Sequence, residues 1–258
     1  MQDVVIIGGG ICGCSLLYEL SRYKINAVLL EKENDVGVAT TKANSAIVHA
    51  GYDPKPGTLM ARYNVDGNRL VEQLCRDLDI LYRKTGSFVV GFAEEERIGI
   101  EELYDRGLKN GVPGMRIVEE AELHEMEPAL SPTAKFALYA PSAGIVNPWE
   151  LASAQAEAAV EGGMQVMLDC EVQSIVKEVD GFTLETSQGL LHARFVVNAA
   201  GVHAAEISAM LGEYDFAIQP NRGEYYLLDT TQGQLVKHII FQPPTGVGKG
   251  ILGSPTVH

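Results

Sequence analysis

Val4-Val5-Ile6-Ile7-Gly8-Gly9-Gly10-Ile11-Cys12-Gly13-Cys14 decides how the rest of the chain is read. Val4 to Ile7 is an all-apolar, β-branched block, read as a short buried strand that the glycines break. From Ile11 to Tyr23 the apolar positions Leu16, Leu17 and Leu20 recur at helical spacing. Asn26 to Glu31 (NAVLLE) is a second apolar strand. Strand, helix and strand within about 30 residues is the unit that builds parallel sheets. Gly8-x-Gly10-x-x-Gly13 lies at the strand–helix junction, and Glu31 ends the next strand. Gly8 permits the tight turn, Gly10 lets a pyrophosphate approach the backbone, and Gly13 lets helix and strand pack closely. The helix N-terminus offers N–H groups and a positive dipole end to the phosphates. Glu31 can accept hydrogen bonds from both ribose hydroxyls, and its charge disfavours a 2′-phosphate. The glycines alone are weak evidence. Together with strand, helix and terminal acid in register, Gly8, Gly9, Gly10, Gly13 and Glu31 predict a dinucleotide site, although the triplet does not separate FAD from NAD. Cys12 and Cys14 read as small buried side chains rather than redox centres.

The chain has 258 residues with 20 Lys+Arg against 34 Asp+Glu, a net charge of −14. That excess argues against nucleic-acid and anionic-membrane partners, which repel an acidic surface. With 46% hydrophobic and 21% charged residues the chain is too apolar for disorder. Residues 94–127 hold 11 acids and four bases, half of the net charge, and read as the solvated face of a peripheral subdomain. The longest nearly apolar stretch, Val4 to Leu17, is 14 residues and glycine-broken. It falls short of the roughly 20 needed for a membrane span. Met1-Gln2-Asp3 lacks the basic start of a signal peptide. Cys12, Cys14, Cys75 and Cys170 show no metal-type spacing, so no metal site is expected. A reduced, cytoplasmic setting is the simplest reading, with membrane contact only through a partner.

Further along, 34–56 reads as an extended loop, 59–85 as a helix, 87–92 as a strand and 94–110 as a polar helix ending at Gly111. Asn147-Pro148-Trp149-Glu150 is a helix start, with Asn as N-cap, Pro at N1 and Glu at N3. That helix stops at Gly162-Gly163. Strands are expected at 164–168, 170–179, 182–187 and 190–198, with turns at Gly181 and Gly189. A short helix at 203–211 and strands at 216–228 and 236–241 follow. Gly246 to His258 has turn residues and no closing helix or strand, as in a fragment of something longer.

After Glu31-Lys32 comes Thr40-Thr41-Lys42-Ala43-Asn44-Ser45-Ala46-Ile47-Val48-His49-Ala50-Gly51-Tyr52. Here the chain resembles the FAD-dependent oxidoreductases of the D-amino-acid oxidase superfamily, and within it the glycerol-3-phosphate dehydrogenase and L-2-hydroxyglutarate oxidase branch. The resemblance implies that the loop after Glu31 and Lys32 wraps the pyrophosphate. It also implies that Ser45 to Gly51 lies over the isoalloxazine ring. Thr41, Asn44 and Ser45 are then donors to phosphate or flavin, and a turn or N-cap at Thr40-Thr41 fits the same residues. Ser142 to Pro148 resembles the family segment before the helix that returns to the nucleotide domain. Cys170-Glu171-Val172 resembles the strand whose backbone near Val172 pairs with the adenine edge. Val196-Val197-Asn198-Ala199-Ala200-Gly201 resembles the second nucleotide motif, which puts Ala200 and Gly201 near the pyrophosphate. Arg222-Gly223-Glu224-Tyr225-Tyr226 and Pro255-Thr256-Val257-His258 resemble substrate-domain segments. The likeness covers essentially the whole chain, and family members run on past it with another glycine-bearing loop that closes over the isoalloxazine.

The implied fold is α/β, with a Rossmann-like FAD-binding domain (1–84 and 142–214) interleaved with a smaller α+β substrate domain (85–141 and 215–258). The implied cofactor is FAD. The implied reaction is oxidation of a small 2-hydroxy acid or glycerol 3-phosphate, a base taking the hydroxyl proton while hydride passes to flavin N5. His49 is the first candidate for that base, or for a hydrogen bond to substrate or flavin, with a structural histidine as the alternative. Arg222 suits a carboxylate or phosphate through its guanidinium fork, or a surface pair with Glu224. Tyr225 and Tyr226 would point to opposite sides of a strand, and Tyr226 is assigned to the substrate side. The rivals are an amine or amino-acid oxidase of the same superfamily and a non-catalytic FAD-binding fragment or subunit. The electron acceptor, whether oxygen, a quinone or a partner redox subunit, is left open by the sequence.

Overall fold

The computed structural model describes residues 1–243 and 250–257, so His258 and the glycine-rich 246–249 lie outside the described residues. The chain opens with β1 (Gln2–Ile7), α1 (Ile11–Leu20) and β2 (Ala27–Leu30), then loops to β3 (Ile47–Val48). Next come α2 (Leu59–Asp77), β4 (Tyr82–Arg83), β5 (Ser87–Gly91), α3 (Arg97–Asn110), β6 (Arg116–Glu119), α4 (Glu120–Met126), β7 (Phe136–Ala140) and β8 (Gly144–Val146). After α5 (Pro148–Glu161) come β9 (Gln165–Met167), β10 (Val172–Glu178), β11 (Gly181–Thr186), β12 (Gly189–Asn198), α6 (Ala204–Ala209), β13 (Ile239–Phe241) and β14 (Leu252–Gly253). They form two compact units, Met1–Asn44 with Pro148–Glu224, and Ser45–Asn147 with Tyr225–His258.

The first unit is built on a six-stranded sheet of order β10-β11-β12-β1-β2-β9. β12, β1, β2 and β9 run parallel, and β10, β11 and β12 form an antiparallel meander. A parallel strand covered on both faces must be apolar throughout, which explains the unbroken VVII and AVLL runs. Alternation then divides them. Ile6 and Leu29 pack with Leu17 of α1 and Ala152, Ala156 and Ala159 of α5. Val5, Ile7, Val28 and Leu30 join Ile175 and Leu184 in a separate core. α1 and α5 are tied by a 2.8 Å hydrogen bond from the Ser15 hydroxyl to the buried Gln155 amide oxygen.

The second unit holds a five-stranded sheet, β14-β13-β5-β7-β6, and a small sheet, β3-β8-β4. Ile100, Leu103, Phe136, Leu138, Ile145 and Ile239 form its main core. Glu127, only 1% exposed, fastens the entry to β13. Its carboxylate accepts the backbone N–H groups of Lys237 (3.0 Å) and His238 (3.1 Å) and the His238 ring Nδ1 (2.9 Å), which must therefore carry a proton. The other carboxylates of the acidic 94–127 window are exposed or half-exposed, as a solvated face requires.

Several boundaries differ from the expectations. α2 stops at Asp77, because Asp79 turns left-handed (φ +55°) and the chain enters β4. Residues 94–110 divide into a 3₁₀ turn at Glu94–Glu96 and α3. The expected strand at 216–228 does not form. None of the described strands pairs with it, and an extended run without a ladder is not held. Conversely, Leu252–Gly253 pairs with β13 where no closing strand was expected. Residues 45–84 group with the second unit rather than the first, since β3 and β4 both pair with β8.

Candidate functional site

At the top of β1 the glycines separate by what each one faces. The Gly8 N–H continues the sheet to the Leu30 carbonyl (2.8 Å), with φ at +108°. A Cβ there would lie 2.5 Å from the Ala199 carbonyl oxygen, and a Cβ on Gly13 would collide with the Gly8 carbonyl oxygen. Both glycines are thus required by the chain's own packing. Gly10 is not. Its φ of −74° and ψ of 177° suit any residue, and a Cβ would meet only the Thr41 hydroxyl, at 3.2 Å. Gly10 is thus the glycine of the loop whose backbone angles do not demand it, and a side chain there would press on the Thr41 hydroxyl that caps α1.

The groups around that space are held in place. The Gly9 N–H donates to Glu31 Oε2 (2.6 Å), and Glu31 Oε1 accepts the Glu33 N–H (2.9 Å). The carboxylate is clipped to the glycine loop, and each oxygen keeps a lone pair for a ribose hydroxyl. Lys32 beside it is exposed. The Gly9 carbonyl accepts the Gly37 N–H (2.8 Å) and the Cys14 thiol (3.3 Å). Burial above all, and then the Glu31 charge, push the Cys14 thiol up to about 12, so it remains a donor. Cys12, expected to be buried like Cys14, is exposed on the first turn of α1.

Thr41 serves as a helix cap in this structure. It is buried, and its Oγ1 accepts the Ile11 N–H at 3.0 Å, capping α1 from 30 residues away. Its hydroxyl proton stays available, and the Asn44 amide braces the loop by donating to the carbonyls of Thr41 (2.6 Å) and Thr40 (3.1 Å). The N–H groups of Cys12 and Gly13 have no acceptor within the helix, as at any helix start. On the other side, Ala199 N–H bonds Ile7 (2.9 Å), Ala200 N–H bonds Asn198 Oδ1 (3.2 Å), and Gly201 opens a 3₁₀ turn. Val172 is buried at the irregular start of β10. These residues converge on one end of the parallel strands, where α/β proteins take their ligands.

In the second unit, Ser45 is half-buried ahead of β3 and His49 follows it. The His49 carbonyl accepts from Asn68 (3.0 Å), and its ring stacks on Phe241 with centroids 5.8 Å apart. Arg222 and Tyr226 lie in the irregular stretch instead of on a strand. The Arg222 side chain is 86% exposed and pairs with Glu224 at 3.5 Å, the surface alternative, and Tyr226 is 92% exposed. The sequence reading missed Asn68. An Asn inside a helix, where it is a poor former, was the available signal. Among the described residues no cluster suits a metal ion, and no helix is long and apolar enough to cross a membrane.

Strand, glycine turn, helix and acid-ended strand in this geometry define a dinucleotide-binding α/β protein. The chain belongs to the FAD dependent oxidoreductase (DAO) family, whose sequence model matches residues 3–257. It is 48% identical to a glycerol 3-phosphate dehydrogenase of Caloramator mitchellensis, over the whole of this chain and 54% of the relative. It is 32% identical to the mitochondrial L-2-hydroxyglutarate dehydrogenase of Homo sapiens, covering 94% of this chain and 55% of that protein. A solved structure of dithionite-reduced L-α-glycerophosphate oxidase from Mycoplasma pneumoniae with FAD bound matches at a TM-score of 0.86 and 29% identity, over 99% of this chain and 68% of that one. The chain thus spans about half the length of these two curated relatives.

Proposed function

We propose that this chain holds FAD at the glycine loop and serves the oxidation of glycerol 3-phosphate, or of a small 2-hydroxy acid. The observation that carries the cofactor assignment is Gly10, a glycine that the chain's own conformation does not require, set before α1 with Glu31 and Thr41 fixed beside it. Glu31 would hold the ribose, and Thr41 with the first-turn N–H groups of α1 the pyrophosphate. Asn44 would brace that loop, Ser45 would lead into the segment beside the flavin, Val172 would face the adenine, and Ala200 and Gly201 would border the phosphates. Bound flavin supplies a two-electron acceptor. His49 is the group proposed to hold the substrate's hydroxyl proton, imidazole being the side chain most often used as a general base. Arg222 and Tyr226 are secondary candidates for substrate contact, because both side chains are exposed. The 48% identical dehydrogenase favours glycerol 3-phosphate over the 2-hydroxy acids. The acceptor proposed is oxygen, a quinone or a redox partner, and four free cysteines favour a cytoplasmic setting.

The test is a visible spectrum after incubation with FAD and desalting, followed by anaerobic addition of glycerol 3-phosphate, L-2-hydroxyglutarate or amino acids. Retained flavin that glycerol 3-phosphate bleaches is the expected result. Bleaching by amino acids alone moves the chain to the amine-oxidase reading. A colourless protein sinks the claim that these residues suffice to hold FAD and leaves a non-catalytic role.

A further inference from the structure

We propose that Asn68 and Phe241 are positioning residues that fix the His49 imidazole, an inference that rests on the proton-holding role proposed for His49. Ahead of β3 the backbone is held against its own preference. Ala46 sits at φ +58°, a left-handed conformation that non-glycine residues seldom adopt, and such strain persists only where surrounding contacts impose it. Those contacts are present. The Ala46 carbonyl accepts the Val146 N–H at 3.0 Å, and the Gly51 carbonyl accepts the Asn110 amide at 2.9 Å. Between them β3 pairs with β8, Ile47 opposite Ile145 and Val48 opposite Gly144, and the ladder ends one residue before His49.

Asn68 closes that open end. Its single side-chain nitrogen donates to the His49 carbonyl at 3.0 Å and to the Ser142 carbonyl at 2.9 Å. One amide therefore joins the residue that follows β3 to the turn leading into β8. The amide lies in the middle of α2, so a 19-residue helix supplies its rigidity. Phe241 acts on the ring itself. Its plane lies 22° from that of the imidazole at a centroid distance of 5.8 Å. Phe241 is held in turn by pairing with Val89 and Leu252 on the two neighbouring strands. Asn68 thus sets where the His49 backbone lies, and Phe241 sets how the ring turns. A base displaced by a fraction of an ångström loses much of its effectiveness, which gives both residues a functional consequence without contact with substrate.

The experiment compares wild type, Asn68→Asp, Asn68→Ser, Phe241→Leu and His49→Asn, each loaded with FAD and carrying isotope-labelled histidine. Asp is nearly isosteric with Asn and cannot donate, whereas Ser restores one donor. In Asn68→Asp and Phe241→Leu the His49 imidazole resonances, identified by their loss in His49→Asn, should shift or broaden while those of His124 and His203 stay in place. kcat on the oxidised substrate should fall roughly 10- to 100-fold with KM within about threefold, and Asn68→Ser should recover part of the loss. Unchanged His49 resonances in both Asn68→Asp and Phe241→Leu, with kcat within twofold of wild type, overturn the positioning proposal, whatever His49→Asn does. Full turnover in His49→Asn overturns the proton-holding role instead, and the resonances still decide whether Asn68 and Phe241 set the ring. If Asn68→Asp fails to fold, Phe241→Leu carries the test alone.

Discussion

Alanine at Gly13 and alanine at Gly10 should fail for opposite reasons, and the pair separates fold from cofactor binding. In α1, Gly13→Ala gains up to about 1 kcal/mol of helix propensity. Against that, the new Cβ strikes the Gly8 carbonyl oxygen, a backbone atom that no rotamer change can move, and it sits 3.4 Å from Ile6. Relief requires α1 to lift from β1, across a core where Ile6 and Leu17 are fully buried. Overpacking of this kind costs roughly 1–3 kcal/mol, and a backbone clash belongs at the upper end. The net loss is about 2 kcal/mol, or a melting temperature lower by roughly 4–8 °C for a chain of this size.

Gly10→Ala meets only the Thr41 hydroxyl, in a backbone conformation alanine adopts freely. Its cost to the cofactor-free protein is about 1 kcal/mol, from replacing Gly with Ala at an N-cap and from shifting the Thr41 hydroxyl by a few tenths of an ångström. The same methyl occupies the approach to the phosphates, and FAD affinity should fall at least about tenfold, equivalent to 1.4 kcal/mol. Melting of the cofactor-free proteins and quenching of flavin fluorescence on titration measure the two quantities independently. Wild-type FAD affinity in Gly10→Ala, or a stability loss there equal to that of Gly13→Ala, would refute the assignment of Gly10 to the cofactor site.

Four further outcomes follow from the same contacts. Glu31→Gln keeps shape and loses charge, so FAD affinity should drop roughly tenfold, the worth of one charge-assisted hydrogen bond, and an unchanged dissociation constant would remove Glu31 from the site. Glu127→Ala strands the N–H groups of Lys237 and His238 and the His238 ring, three donors at about 1–3 kcal/mol each, and should destabilise by at least about 3 kcal/mol in urea unfolding; a loss under about 1 kcal/mol would mean that β13 is held by other contacts. At pH 8 a thiol reagent should modify Cys12 and spare Cys14 and Cys75, which burial pushes up to about 12 and about 11, and peptide mass spectrometry that finds Cys14 labelled first would contradict this. Arg97 grips Glu119 through two nitrogens at 2.9 and 3.0 Å and holds its carboxyl below the usual range. A lowered folded pKa stabilises above the unfolded value near about 4.3 and is lost as pH falls through the lowered one. The advantage of wild type over Glu119→Gln should therefore persist from pH 8 to about 5 and shrink in stronger acid, and a constant difference at every pH would exclude the ion pair as its source.

What the sequence displayed was the part of the fold written locally. In β1-α1-β2, strand, turn and helix are set by neighbours within 30 residues, so the glycines and Glu31 could be assigned roles before any contact was known. The Asn-Pro start of α5 and the glycine turns of the β10-β11-β12 meander are legible for the same reason. A strand of two residues has no period, and β3, β4 and β14 exist only through their partners. Ile47 pairs with Ile145 across nearly a hundred residues, and nothing in either segment names the other. The converse case is the run from Phe216 to Leu228, which has the composition of a strand and no partner among the described strands. A strand is a relation between two stretches, and composition supplies one side of it. The same holds for the site. Thr41 could be proposed as a hydroxyl donor to phosphate, and nothing around it marks it as the cap of a helix 30 residues upstream. His49 could be proposed as a base from its type, whereas Asn68, whose amide bonds the backbone carbonyl of His49, is one more polar residue on a helix until β3 and β8 are brought together. The chemistry-bearing residues announce themselves by type, and the residues that aim them are found only from the contacts they make.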